Sequence, residues 1–360
     1  KRASILARGL KQDVILETKI IDDKKVIVDG QFIGELRGLK LNLDLKVGAL
    51  DTDIKSLKKT ARLNVAPEFK KRIIKIIKTQ LIELKDDFKI YWEKFPIAKL
   101  SPGKNYLNPE INLIIDDIIE KTDQKKLQIY LEKWIVEKIN TVLQNLIELK
   151  NSSHKKTSIR ALAYQLYENN GVLKRETITD YLKELQQDDR KILRELGVKF
   201  GRYHIYLYKL MKPEAVLLRL ILWKNFHQKY FELKPPTFGL NFLENNKAVD
   251  SNFMLLCGFE KFENFFVRID ILERLFVKII NSNLENSKEV KLTAEMLNLL
   301  GCSKENFVKL IKRMNYKIYK KNDDFFFKYL PNKGNNKKYI KNNDNKDNPF
   351  NVLKQINFKK

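Results

Sequence analysis

Apolar residues recur with two different periods in the first half of the chain. They occupy every second position from Leu39 to Val47, which is the spacing of a strand with one buried face. Asp29-Gly30, between two β-branched stretches, suits a two-residue hairpin turn. From Ile54 to Leu84 the spacing becomes that of an amphipathic helix. The other elements predicted here are a basic helix over 1–17, short strands and turns over 88–112, and a helix over 124–149.

The second half of the chain contains one order of elements twice. Between 157 and 207 the pattern predicts three helices, the last ending at Gly197, followed by two strands that turn at Gly201-Arg202. Between 272 and 329 it predicts helix, strand, helix, helix and hairpin. Both orders are those of a winged helix. The fold class expected is therefore α+β, mostly helical and multi-module, with two winged-helix-like modules and a small N-terminal β-hairpin region.

Changes in composition divide the chain into candidate modules. The clearest internal boundary is the polar stretch 151–156, and the residues after 331 are mostly Lys and Asn, a composition typical of disorder. The modules expected are a basic helix with a hairpin region (1–50), an α+β helical module (51–155), a first winged-helix-like module with a buried helix (156–230), a second one (231–331) and a disordered tail (332–360).

The chain carries a net charge of +25, of which +6 falls in its last 29 residues. Such an excess attracts polyanions, although Lys, Asn and Ile are all frequent, as an AT-rich genome would also produce. Charges interrupt every apolar stretch before it could span a bilayer, and no signal peptide is evident. Two isolated cysteines, Cys257 and Cys302, are typical of a reducing compartment. We expect a cytoplasmic protein that binds no membrane.

The densest mixture of basic and aromatic residues lies between Lys191 and Pro213. Two interpretations are open, because cations beside rings suit phosphates and bases, whereas alternating rings also suit a half-buried hairpin. On the first, the RNA-binding residues include the outward cations of both third helices. The candidates are Arg190, Arg194, Lys199, Phe200, Arg202, Tyr203, His204, Tyr206, Lys209, Lys212, Lys309, Lys312 and Arg313. Lysines on the predicted helix over 54–84 face either phosphates or solvent: Lys70, Lys71, Lys75 and Lys78.

Catalytic signatures are absent from the sequence. There is no phosphate-binding loop, no G-x-G-x-x-G, no G-x-S-x-G, no H-E-x-x-H and no Cys/His cluster. Gly103-Lys104 lacks both the earlier glycine and the following hydroxyl residue of a phosphate loop. We therefore predict no catalytic residue, no metal site and no cofactor in this chain.

Five stretches together resemble the region that follows the motor in a family of bacterial superfamily 2 DExH-type RNA helicases, relatives of the mitochondrial RNA-degradosome helicase. They are VIVDGQFIGELRGLKL (26–41), ALAYQLYENNGVLKRE (161–176), LRELGVKFGRYHIYLYKLMKP (193–213), VRIDILERL (267–275) and LTAEMLNLLGCS (292–303). The resemblance extends over about residues 1–330 in the same order. Leu-Gly-Val-Lys-Phe-Gly, followed by Leu-x-Lys-Pro, is its most specific part.

The resemblance implies a parent protein that is an ATP-dependent RNA helicase with two upstream motor domains, which would bind ATP and Mg²⁺. No catalytic residue carries over, because the motor motifs are missing. The chain is either a fragment that follows the motor, as a first residue of Lys1 suggests, or a motor-less relative. The expected partners are RNA, or DNA, the motor domains in cis or in trans, and a ribonuclease. A protein-interaction scaffold is the main alternative, and an independent DNA-binding regulator is a third.

Overall fold

The computed structural model describes residues 18–22, 24–28, 31–43, 51–152, 156–244, 249–282, 289–321 and 324–330. These residues form an α+β structure with several small antiparallel sheets, which confirms the predicted class. The chain divides into two compact units, Lys1–Arg274 and Leu275–Lys360. The helix predicted over 1–17, the Asp29-Gly30 turn and the tail lie outside the described residues.

The first sheet is an antiparallel meander in the order β1-β2-β3-β4. Its strands are β1 (Thr18–Ile21), β2 (Lys25–Val28), β3 (Gln31–Arg37) and β4 (Lys40–Leu43). Val28 pairs with Gln31, so β2 and β3 form the hairpin that the sequence predicts. The alternating apolar residues produce one buried face, which includes Val26, Val28, Ile33, Leu36 and Leu41. The part of the predicted strand after Leu43 lies outside the described residues.

Helix α1 (Asp51–Thr79) leads into the second sheet, in the order β5-β6-β7-β8. The strands are β5 (Ile82–Leu84), β6 (Lys89–Trp92), β7 (Phe95–Ser101) and β8 (Glu110–Leu113). Apolar residues at helical spacing bury one side of α1: Ala61, Val65, Phe69, Ile73 and Ile76. Asp116 ties the segment after β8 to the first sheet, because its Oδ2 accepts from the Leu41 amide at 3.2 Å and its own amide donates to the Leu39 carbonyl.

Helices α2 (Lys121–Val142) and α3 (Gln144–Lys150) replace the single helix predicted over 124–149. One hydrophobic core extends from Val26 to Leu222 and therefore passes the expected boundary at 151–156. Across that stretch the Asn145 side chain donates to the Leu196 carbonyl, and Lys156 at its end pairs with Asp189 at 3.2 Å. The described parts of the modules expected at 1–50, 51–155 and 156–230 accordingly share one core, and the structure divides the chain elsewhere.

The next elements follow the predicted order of helices and a hairpin. They are α4 (Thr157–Glu168), β9 (Val172–Lys174), a 3-10 turn (Arg175–Ile178), α5 (Thr179–Glu184), α6 (Gln187–Glu195), β10 (Val198–Phe200) and β11 (His204–Leu207). The three strands form a sheet in the order β10-β11-β9, so the first strand pairs with the second strand of the hairpin. Every residue of β11 is buried, which means that both faces of this central strand are covered.

A further small sheet lies between residues 242 and 268. Its strands are β12 (Phe242–Glu244), β13 (Phe259–Lys261) and β14 (Phe265–Arg268). A second 3-10 turn (Tyr208–Met211) and helix α7 (Pro213–His227) precede them, and helix α8 (Ser251–Leu256) lies between β12 and β13 in sequence. The sheet order is β12-β14-β13. As in the preceding sheet, the first strand in sequence pairs with the last.

The division between the two units falls within helix α9 (Ile269–Ser282). The second unit then contains β15 (Val290–Lys291), α10 (Ala294–Leu300), α11 (Lys304–Arg313), β16 (Tyr316–Lys321) and β17 (Asp324–Tyr329), with sheet order β15-β17-β16. Its core is rich in rings: Tyr316 contacts Phe276, Phe327 and Tyr329, and Phe307 contacts Phe327. Across the described segments, no helix has both the length and the apolar character needed to span a membrane.

Candidate nucleic-acid interface

The residues predicted to bind RNA in the first unit differ widely in exposure. Arg194, Lys199, Arg202, Lys209 and Lys212 are exposed. Arg190, Phe200 and Tyr203 are half-buried. His204 and Tyr206 are only 3% and 6% exposed. These two side chains have no access to a ligand at the surface of this structure, so we assign them to packing and leave them out of the candidate interface.

The outer side of α6 carries charges of both signs. Lys191 and Arg194 are exposed there, but so are Asp188 and Glu195. Arg194 lies over the Phe200 ring, with its guanidinium carbon 5.7 Å from the ring centre. Arg190 instead donates to the Leu182 carbonyl at 3.0 Å, which ties α6 to the end of α5. The electrostatic attraction of this helix for phosphates is therefore weak. The exposed cations that follow it are Lys199 and Arg202 on the hairpin.

A buried carboxylate holds the turn between β10 and β11. Glu273 of α9 accepts hydrogen bonds from three successive backbone amides, those of Arg202, Tyr203 and His204, the last at 2.7 Å. Gly201 is required beside it, since a Cβ there would lie 2.3 Å from the Glu273 carboxyl carbon. On the other side Arg175 donates to the Gly201 carbonyl at 2.7 Å. The turn that presents Lys199 and Arg202 is thus fixed from both sides.

His204 lies between two carboxylates. Its Nδ1 is 3.1 Å from Glu273 Oε1 and its Nε2 is 3.2 Å from Glu260 Oε2, while Lys174 also contacts Glu260 at 2.5 Å. Both ring nitrogens can donate to carboxylates only in the protonated imidazolium. Burial acts to lower the pKa of His204, but the hydrogen bonds to Glu260 and Glu273 outweigh it and raise the pKa above 6.5.

This buried cluster predicts a pH dependence of stability. Because the pKa of His204 is raised, its contribution is complete below pH 6.5 and is lost as the pH rises through the folded-state pKa. We expect the melting temperature of the wild type to fall over this range more steeply than that of a His204→Gln variant. Thermal unfolding at a series of pH values measures this difference. Parallel curves for the two proteins would contradict it.

Exposed His227 provides the control for that experiment. Its pKa is lowered by burial and by the charge of Lys229, so its contribution to stability has the opposite pH dependence. A His227→Gln variant should therefore not reproduce the weaker pH dependence expected for His204→Gln.

Glu260 determines how stability changes at acidic pH. Burial acts to raise its pKa, but hydrogen bonds from His204 and Lys174 outweigh this and lower it. Its contribution is lost as the pH falls below 4.5 and through the lowered pKa.

The third helix of the second unit has a more uniform charge. Ser303 caps α11 by accepting from the Asn306 amide at 3.2 Å, and Phe307, Leu310 and Ile311 are buried. The exposed positions are mainly cationic: Lys304, Lys309, Lys312 and Arg313, against the single carboxylate of Glu305. Lys304 lies over the Phe325 ring at 4.2 Å from its centre. Of the two third helices, α6 and α11, α11 therefore presents the stronger positive surface.

A basic cleft of about 160 Å³ also lies beside α1, between it and the β6–β7 hairpin. Lys24, Lys71, Arg72 and Lys75 line it with two carboxylates among them: Lys75 is 3.5 Å from Glu93, and Lys71 is 4.0 Å from Glu68. Lys75 also lies over the Trp92 ring at 5.4 Å from its centre. These paired cations agree with the solvated-face interpretation of the helix, and we do not include them in the interface.

Comparison of the chain with family models, with curated proteins and with solved structures gives no match. Any assignment of function therefore depends on the geometry and charge of these surfaces and on the sequence resemblance.

Proposed function

We propose that this chain is a nucleic-acid-binding region with two winged-helix-like modules, and that RNA is its ligand. The observation that carries the proposal is the outward row of cations on α11. Support comes from the order helix, strand, helix, helix, hairpin, which occurs in α4 to β11 and again in α9 to β17. In both, the first strand pairs with the last strand of the hairpin. Third helices of such modules commonly carry the residues that contact nucleic acid.

More specifically, we propose that the chain is the accessory region that follows the motor of a DExH-type RNA helicase. The support for this step is the sequence resemblance over five stretches, of which 193–213 is the most specific. The fixed turn between β10 and β11 lies in that stretch. In this proposal the motor domains, in cis or in trans, hydrolyse ATP with Mg²⁺, and this chain grips RNA in the cytoplasm while a ribonuclease partner acts on it. No cofactor is assigned to the chain itself.

The cations of α11 provide the first binding test. Changing Lys309 and Lys312 to Ala together should weaken binding to a short single-stranded RNA by about tenfold, because two phosphate contacts are lost. Each lost contact should also reduce the slope of log affinity against log salt by about 0.7. Fluorescence anisotropy at several salt concentrations measures both quantities. The melting temperature should be unchanged, since both side chains are exposed.

The matched control removes the same charge from another helix. Lys121 and Lys125 are exposed on α2, and their joint replacement with Ala should leave the affinity within about twofold, because neither lysine belongs to the proposed interface. An equal loss of affinity in both double variants would indicate attraction by net charge alone. It would contradict a specific role for α11.

A protein-interaction scaffold is the second candidate, and one observation favours it. The segment after α7 exposes large apolar side chains: Phe231 is 47% exposed, Phe238 45% and Leu240 44%. Clustered apolar exposure of this kind is typical of surfaces that bind another protein. Under this alternative the α11 variants would have no effect, and changing Phe238 and Leu240 to Ser would abolish capture of the motor domains or of the ribonuclease.

A further inference from the structure

The outer face of the sheet in the second unit carries two rings side by side. Tyr319 of β16 and Phe326 of β17 are directly opposed in the sheet register. Their ring centres are 6.2 Å apart and the ring planes are within 16° of parallel. Both side chains are half-buried. The opposite face of the sheet is the core face, which contains Tyr316 and Phe327.

Lysines surround this pair of rings on the same face. Because side chains alternate along a strand, Lys317 and Lys321 lie on either side of Tyr319, and Lys328 follows Phe326. Lys291 of β15 is opposite Phe326 and pairs with Asp324 at 2.5 Å. Glu289 also lies nearby; burial and the interaction with this carboxylate raise the pKa of Tyr319 to about 12. Among the residues that the structure describes, four lysines and two carboxylates border this aromatic surface.

The corresponding sheet of the first unit does not have such a surface. There the same face carries His204 and Tyr206, which Glu260 and Ile269 cover. An outer face with half-buried rings and exposed lysines is what sequence-tolerant single-strand binders use, since bases stack on the rings while cations contact the phosphates between them. A duplex would not suit it, because its bases are already stacked and unavailable to the rings.

We propose that the Tyr319–Phe326 face is a stacking platform for unpaired bases of single-stranded nucleic acid. This inference rests on the proposed function, and it adds a second contact region to the α11 cations. Nucleotides would lie across β16 and β17 with bases against the two rings. Lys317, Lys321 and Lys328 would contact the backbone phosphates on either side.

The test separates stacking from charge. A double variant, Tyr319→Leu with Phe326→Leu, keeps apolar side chains and removes both aromatic faces. For the full chain we expect the affinity for a short oligouridylate to fall by at least about tenfold. The affinity for an abasic oligomer with the same number of phosphates should stay the same, as should the salt slope. Tyr164→Leu, at a 60% exposed ring on α4, is the matched control and should bind both oligomers as the wild type does.

A second measurement does not depend on the folding of the double variant. Ultraviolet crosslinking of the wild type to the oligouridylate, followed by mass spectrometry, should yield adducts on the peptide that contains Tyr319 or Phe326. Equal oligouridylate affinity in the wild type and a folded double variant, or adducts confined to other peptides, would overturn the platform while leaving the proposed function intact. Absence of binding by the wild type to both oligomers would overturn both proposals.

Discussion

Replacing Glu273 with Gln should destabilise the first unit by about 3 to 5 kcal/mol, the range for removing one partner of a buried charged pair. Glu273 is 4% exposed and accepts from three backbone amides as well as from His204. Glutamine has nearly the same shape, but its side-chain NH₂ cannot accept, so one half of the amide would face donors. The His204 ring would also lose one of its two carboxylate partners.

Chemical denaturation followed by circular dichroism measures this change in the free energy of unfolding. The matched control is Glu195→Gln on α6, an exposed position where the same substitution should cost less than about 1 kcal/mol. The variant should also lose part of the pH dependence described for His204. A Glu273→Gln protein as stable as the Glu195→Gln protein would show that the carboxylate is not what fixes the β10–β11 turn.

The second large effect is expected at Arg219, a cation in the middle of apolar helix α7. Its side chain is 0% exposed, and its guanidinium donates to the carbonyls of Asn170 at 2.7 Å, of Leu210 at 3.4 Å, and of Leu256. Three chain segments that end near α7 are therefore tied to it through one side chain. Burial lowers the pKa of Arg219 to about 10, so the group remains protonated at neutral pH.

Arg219→Met should lower the free energy of unfolding by about 3 kcal/mol, because methionine fills the space but leaves the carbonyls without a donor. The substitution also removes the desolvation cost of the buried guanidinium, which offsets part of this loss. It does not cancel the loss, since three carbonyl acceptors remain unpaired. Arg62→Met, at an exposed position of α1, is the control and should stay within about 0.5 kcal/mol of the wild type. An Arg219→Met protein more stable than the wild type would mean that desolvation of the guanidinium outweighs its hydrogen bonds.

Local pattern was enough to predict much of the fold. The α+β class, helix α1, the β2–β3 pair, the three helices and hairpin over 157–207, and the order of elements over 290–329 all follow from periodicity and turn residues, whereas strand β9 was not predicted. These features depend on neighbours within a few residues. They can therefore be predicted without knowledge of the tertiary contacts.

Features that depend on distant residues were not predicted. Alternation in HIYL implies one wet face, yet all four residues are buried, because Glu260, Ile269 and Glu273 cover the second face from more than fifty positions away. Arg219 gave no signal either, since an isolated cation in the apolar stretch 215–223 does not indicate which carbonyls it will contact. The division after Arg274 lies inside a continuous helix, where no change of composition marks it.

The central claim is that the folded chain binds single-stranded RNA. The most direct measurement is the anisotropy-based affinity of the full chain for a short single-stranded RNA and for a duplex DNA of equal charge, at several salt concentrations, alongside a chain whose eight lysines after residue 331 are changed to Gln. We predict micromolar or tighter binding that favours RNA, weakens with salt and persists in the tail variant. Binding that vanishes with the tail lysines, or that does not distinguish the two nucleic acids, would contradict the account.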